Sequence, residues 1–154
     1  MNTDNINIPI SLRRRQLCYA GLSLFLISAC EAKPMTVTLD VVLFSYLDRP
    51  IFEVIVGKHD VGVAGAYPYS GRGTMTGVQF SLGSQKITWR YTDTGETIIA
   101  KNTPELKDIP PNARYLAIHI YPDNTVEFIF TEHFPGLSPR GEKFNAEWNR
   151  RNGK

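Results

Sequence analysis

Apolar and polar positions alternate with period two along most of this chain. "TVTLDVVLFSY", residues 36–46, is dense in β-branched and aromatic residues and predicts a strand. Pro50 has no donor for a sheet ladder, so the strand stops at "DRP". "IFEVIVG" (51–57) predicts a second strand, "KHD" a turn, and "VGVAG" (61–65) a short strand or bulge. "AYPYSGRGTMTG" (66–77) has too many glycines and prolines for an element interior and predicts a loop. "VQFSL" and "KITWRYT" flank "GSQ" and predict a hairpin, with Ile87, Trp89 and Tyr91 on its apolar face. "GETIIAK" adds a short strand and "TPELKDIPPN" a loop. The clearest hairpin joins "RYLAIHIY" (114–121) to "TVEFIFTEH" (125–133) through "PDN", whose Asp and Asn tolerate left-handed geometry. Alternation places His119 on the polar face of its strand.

The pattern changes at both ends. In "SPRGEKFNAEWNRRNGK", Ser138 is a cap candidate and Pro139 suits a first helical position. Phe144 and Trp148 are four apart, as are Lys143 and Glu147, so a short amphipathic helix is expected, weakened at Gly141. Six to eight short strands with one terminal helix predict an all-β fold. The expectation is an antiparallel β-sandwich or open barrel with a short C-terminal helix.

At the other end, "RRR" (13–15) precedes an uncharged, mostly apolar run from Leu17 to Ala29. A basic segment, a short apolar run and small residues make a secretory signal. The run is shorter than the roughly 20 residues that a spanning helix needs. Its end, "ISAC" (27–30), resembles the lipobox of bacterial lipoproteins. That resemblance implies cleavage between Ala29 and Cys30, and acylation of Cys30 with palmitate-type chains. Two or more acyl chains hold a protein stably on a bilayer, where one does not. The expected organisation is a leader over 1–29, a lipid-anchored tether over 30–35 and a single β domain over 36–154. In Gram-negative lipoproteins an Asp after the cysteine favours the inner membrane. Glu31 stands there in this chain, which points to the outer membrane, facing the periplasm.

Removing such a leader changes the composition. It takes three of 17 basic residues and one of 15 acidic residues, leaving fourteen of each. The basic balance belongs to the leader, and with it goes the electrostatic case for nucleic acid. Cys18 leaves too, and Cys30 carries lipid, so no cysteine pair remains for a disulfide.

Candidate chemistry is sparse. His59, His119 and His133 show no zinc-ligand spacing, so no metal is expected. Ser70 and Ser81 lack a nucleophile-elbow context, although a triad through Ser70 stays open because triads assemble through space. "GRGTMTG" lacks the spacing and the following Lys-Ser/Thr of a phosphate loop, and no cofactor is expected. Two stretches suit a protein partner. In "SYLDRPI", Asp48 can close an Asx-turn and Arg49 can pair with a carboxylate, or the stretch is a rigid corner. In "AYPYSGRG", Tyr67, Tyr69 and Arg72 have the chemistry of interface hot spots, or the tyrosines cover a sheet edge.

On "YLDRPIFEVIVG", "YPYSGRG", "ITWRYTDTGE" and "IHIYPDNTVEFIF", the chain resembles a family of small proteobacterial lipoproteins of unknown function. That family opens on Tyr-x-x-Asp-Arg-Pro-Ile; here Leu47 alone separates Tyr46 from Asp48. Many members of that family carry cysteines near the Gly-rich loop, and this chain has none there. Some members lie beside type VI secretion genes. The resemblance therefore implies a non-enzymatic immunity protein that occludes a secreted lipase-type effector. The alternative is a structural or accessory envelope lipoprotein; a hydrolase using Ser70 is the third reading.

Overall fold

A computed structural model describes residues 35–68 and 72–153. The expected leader, Ala29 and Cys30 lie outside the described residues, as do Tyr69 and Ser70.

The first strand, β1 (Thr36–Ser45), is central. It pairs antiparallel with β4 (Arg72–Ser81) on one side and parallel with β9 (Tyr115–Ile120) on the other. β10 (Val126–Thr131) pairs antiparallel with β9, giving the order β10-β9-β1-β4. The second sheet has β2 (Ile51–Val56) and β6 (Ile87–Tyr91) inside, with β3 (His59–Asp60) and β7 (Thr97–Ile99) at its edges. A two-residue ladder joins β5 (Gly83–Ser84) to β8 (Glu105–Leu106). The helix α1 spans Pro139–Arg151. The expected all-β class with a C-terminal helix is what the chain forms. The sheets stay open, as in a sandwich.

One apolar core joins the two four-stranded sheets. Leu39, Val41 and Leu43 from β1 and Leu116, Ile118 and Ile120 from β9 meet Val54 and Val56 from β2 and Ile87 and Trp89 from β6. Each is buried, and burial of a large apolar side chain contributes about 1.5–3 kcal/mol. β1 is also buried on its other face, through Val42, Phe44 and Tyr46.

Four expectations differ from this arrangement. "VQFSL" and "KITWRYT" do not form a hairpin: Val78 and Phe80 pair with β1, whereas Ile87 to Tyr91 pair with β2 and β7. The chain changes sheet between them at Gly83, whose φ is 103°. In "KHD", the turn is confined to Gly57 and Lys58, and His59 and Asp60 pair back onto β2. The expected loop over 103–112 contains β8.

The fourth is the expected loop at 66–77, whose second half is strand from Arg72 onward. Its glycines have positional reasons. A Cβ on Gly73 would overlap the Val63 carbonyl, so a backbone passes where a side chain cannot. Gly77, at φ 67°, sits in a bulge: two residues, Thr76 and Gly77, lie opposite Asp40. The Asp40 carboxylate accepts from the Gly77 N–H at 2.9 Å. A second bulge, at Glu53 (φ 47°), turns Val54 inward where strict alternation would have put Glu53.

Gly73→Ala is expected to lower stability by about 1–3 kcal/mol, the usual cost of forcing atoms into a packed site. Gly136→Ala, where an added methyl meets nothing, is expected to leave it unchanged. Urea unfolding followed by the fluorescence of Trp89 and Trp148 checks both, and equal midpoints would remove the close-approach explanation.

Candidate functional site

The expected partner-binding residues that are described gather at one end of the sandwich, where β1 and β9 finish and β4 begins. The Tyr67 N–H donates to the Leu47 carbonyl at 2.8 Å, which laces the "YP" segment to the "DRP" corner. Tyr46 N–H donates to Ile120 O at 2.9 Å, which fixes that corner to β9.

The residues do different jobs there. Asp48 is exposed and makes no side-chain hydrogen bond among the described residues, so the expected Asx-turn is absent. Ser45 Oγ instead accepts from the Leu47 N–H at 3.3 Å. Arg49 is committed within the fold. Its guanidinium donates to both Asp93 oxygens, at 3.0 and 2.6 Å, and to Thr94 Oγ1, and it lies 3.9 Å from the Tyr91 ring centre. That forked hydrogen bond holds the Asp93 carboxyl below its ordinary range. Arg72 is exposed, with its guanidinium carbon 5.1 Å from the Phe44 ring centre.

Tyr67 is a support and only half exposed. Its hydroxyl donates to Asn145 of α1, and its ring meets Phe144 and Trp148 edge-on at 5.3 and 5.6 Å. The Tyr67–Pro68 peptide is cis. Among the described residues, Asp48 and Arg72 therefore make no side-chain hydrogen bond or ion pair, whereas Tyr67 and Arg49 are bonded within the chain.

Under this end lies a buried polar cluster that sequence patterning missed. His119 is fully buried between strands, stacked on Phe44 at 4.5 Å between ring centres and 6° between planes. It is not on a solvated face, because α1 and its aromatic partners cover the Tyr46–Tyr121 part of that face. His119 Nδ1 and the Tyr46 hydroxyl share a hydrogen bond of 3.0 Å, while Nε2 has no partner among the described residues. Tyr46 stacks on Tyr121 at 4.9 Å and 1°. The Tyr121 hydroxyl donates to Glu127 at 2.8 Å. With that proton used, the Ser138 hydroxyl must supply the proton in its 2.6 Å bond to Tyr121. Ser138 Oγ in turn accepts the Gly141 N–H at 2.9 Å, the expected N-cap bond. Gly141 is required here, since a Cβ would overlap the Tyr46 hydroxyl. The only sequence signal was the pair of tyrosines, Tyr46 and Tyr121, each directly after a strand.

Burial pushes the His119 imidazole down to about 4, against a weaker upward pull from Glu127. Burial pushes the Tyr46 phenol up to about 12, and raises Tyr121 well above its ordinary value. Near neutral pH the His119 imidazole is therefore neutral and the Tyr46 phenol keeps its proton. The cluster ties the ends of β1 and β9 to β10 and to the cap of α1.

Beside it, a groove of about 390 Å³ runs between α1 and the β9–β10 turn. Tyr121 and Phe144 line it with Arg140, Lys143 and Glu147. Arg140 lies 3.7 Å from the Tyr121 ring centre and donates to Asp123 and Thr125, each at 2.8 Å. Aromatic and cationic groups together in a groove fit the chemistry of protein interfaces. No protein-family model, characterised protein or solved structure matches the chain.

Stability is expected to be pH-dependent through His119. Its folded value lies below the ordinary 6.5, so the unfolded chain binds the proton more readily. The contribution is complete above about 6.5 and falls as pH drops toward about 4, by on the order of 3 kcal/mol. His119→Gln should flatten the dependence of the urea midpoint in that window. An equally steep slope in the variant would assign the effect to other groups.

Proposed function

We propose that this chain is a bacterial lipoprotein, cut before Cys30 and acylated there, whose β domain binds a protein partner from the outer membrane's periplasmic face. The observation that carries this reading is the end of the N-terminal pattern: three arginines, an apolar run of about a dozen residues, then "ISAC". The partner we favour is a secreted type VI lipase-type effector, which such a protein neutralises by occlusion. The resemblance to lipoproteins found beside such effectors supports that choice. Tethering at the bilayer puts the inhibitor where a lipase meets its substrate.

The geometry supports binding at the far end of β1. A ten-residue strand spans roughly 30 Å, so Asp48 and Arg72 lie that far from the end where the tether enters. A stable interface buries about 1,600 Å² in total, with Tyr and Arg over-represented at its anchors. The "DRP" corner, Arg72 and the α1 groove lie toward the same end, where β1 and β9 finish, and bring exposed arginines there.

Cys30→Ser should abolish palmitate incorporation and move the protein from the membrane to the soluble periplasmic fraction. Asp48→Lys combined with Arg72→Glu should weaken capture of the neighbouring effector at least tenfold, about 1.4 kcal/mol, at an unchanged melting temperature. Undiminished capture would move the interface off this end. Intoxicated cells that gain no protection from the wild-type chain would favour an accessory envelope role.

A further inference from the structure

We infer that the opposite end of the sandwich, where β1 begins and β4 finishes, is a lipid-contacting face that rests on the bilayer surface. The inference builds on the lipoprotein reading and gives the anchored domain an orientation.

Two of the large exposed apolar side chains of the described residues are neighbours there. Met35 is 75% exposed and Leu82 39%. Leu82 N–H donates to the Met35 carbonyl at 3.0 Å, so the two sit side by side. Next to them a groove of about 310 Å³ runs between Val37 and Leu82 on one side and Ile109, Pro110 and Pro111 on the other. Pro110 and Pro111 are exposed. Exposed apolar side chains scattered singly need no explanation, but adjacent ones beside an apolar groove do. At the rim, the exposed Lys107 pairs with Glu105 at 2.6 Å, and the exposed Arg114 with Asp40 at 3.2 Å. Asp108, which lines the groove, is exposed and has no ion pair among the described residues, so it adds one negative charge; charge does not draw this end to an anionic surface, and the favourable part of the contact is apolar.

The occupant follows from the length of chain before β1. Five residues run from Cys30 to Pro34, and a chain extends by at most about 3.6 Å per residue. A lipid on Cys30 therefore keeps Met35 within about 20 Å of the bilayer surface, too close for a sizeable partner to enter between them. Burial of apolar surface contributes about 25 cal/mol per Å². A few hundred Å² at this end would be enough to bias a tethered domain toward one orientation.

The test uses the full chain processed in its own membrane. Benzoylphenylalanine is placed by Leu82→benzoylphenylalanine or Pro111→benzoylphenylalanine, and, as the opposite end, by Asp48→benzoylphenylalanine or Arg72→benzoylphenylalanine. After illumination, intact-mass spectrometry reads phospholipid adducts. We expect several-fold more lipid adduct at 82 and 111 than at 48 and 72. Met35→Asp in the Leu82 probe chain should reduce the adduct by at least half. Equal yields at the two ends, higher yields at 48 and 72, or adducts to protein alone at 82 and 111 would overturn the inference. Palmitate labelling of Cys30 in the same cells separates the two readings. Labelled Cys30 with equal adducts sinks the orientation alone, whereas unlabelled Cys30 sinks the anchor on which it rests.

Discussion

From Val41 onward strand β1 has no solvent face, and the rest of the fold answers that constraint. From Val41 to Leu47 every residue is buried. One set, Val41 and Leu43, enters the core between the sheets. The other set, Val42, Phe44 and Tyr46, lies on the outer face and must be covered as well. A doubly buried strand needs a neighbour on each side for its backbone groups, because unpaired buried amides are costly. β4 and β9 supply them, and the second of these pairings is parallel. Buried parallel pairs are the usual setting for near-continuous apolar strands such as "VVLF".

Covering the outer face brings polar groups inside, and the C-terminal segment satisfies most of them. Tyr46, Tyr121 and Ser138 each have an apolar or backbone reason to be there and a hydroxyl that then needs a partner. The bonds run from the Gly141 amide through Ser138 and Tyr121 to Glu127, with Tyr46 closing on His119. A satisfied network in a low-dielectric setting specifies one arrangement, and here His119 Nε2 is the atom left without a partner among the described residues. The helix is short, and its cap is part of this network. The helix and the outer face of β1 are thus stabilised together.

The elements were largely legible in the sequence; the pairing was not. Period-two alternation found β1, β2, β6, β7 and the β9–β10 hairpin, and capping residues found α1. Local signals fail where partners are distant. Nothing near residue 40 announces a parallel partner at residue 115. "GSQ" reads as a hairpin turn because the rule for turns cannot see a change of sheet. Gly73 reads as a loop glycine because only the fold shows the Val63 carbonyl against it. His119 follows the same logic: alternation chose its face correctly, but whether that face is wet depends on a segment some twenty residues later. Of the expected contact residues, chemistry picked Arg49 and Tyr67 well as interacting groups. It could not tell that their partners, Asp93 and Asn145, belong to the same chain.

This reassignment bears on how a partner would be met. Groups that are already spent on internal bonds lose little by binding and gain little. Their value lies in holding neighbours still, since ordering flexible side chains and loops subtracts from affinity. With Tyr67 hydrogen-bonded to α1 and Arg49 forked onto Asp93, the exposed Asp48 and Arg72, which make no ion pair among the described residues, sit on a frame held on several sides. Net affinity from two exposed charges alone would be modest, because water and salt screen them. An interface at this end would therefore have to draw its energy from apolar and aromatic area, and the α1 groove offers little of it, because Tyr121 is only 1% exposed and Phe144 is half-buried beneath Arg140, Lys143 and Glu147. The charges then set orientation and choice of partner, as rim charges generally do. α1 and the "DRP" corner are joined by the Tyr46–Tyr121 stack and the edge-on Tyr46–Phe144 contact beneath them.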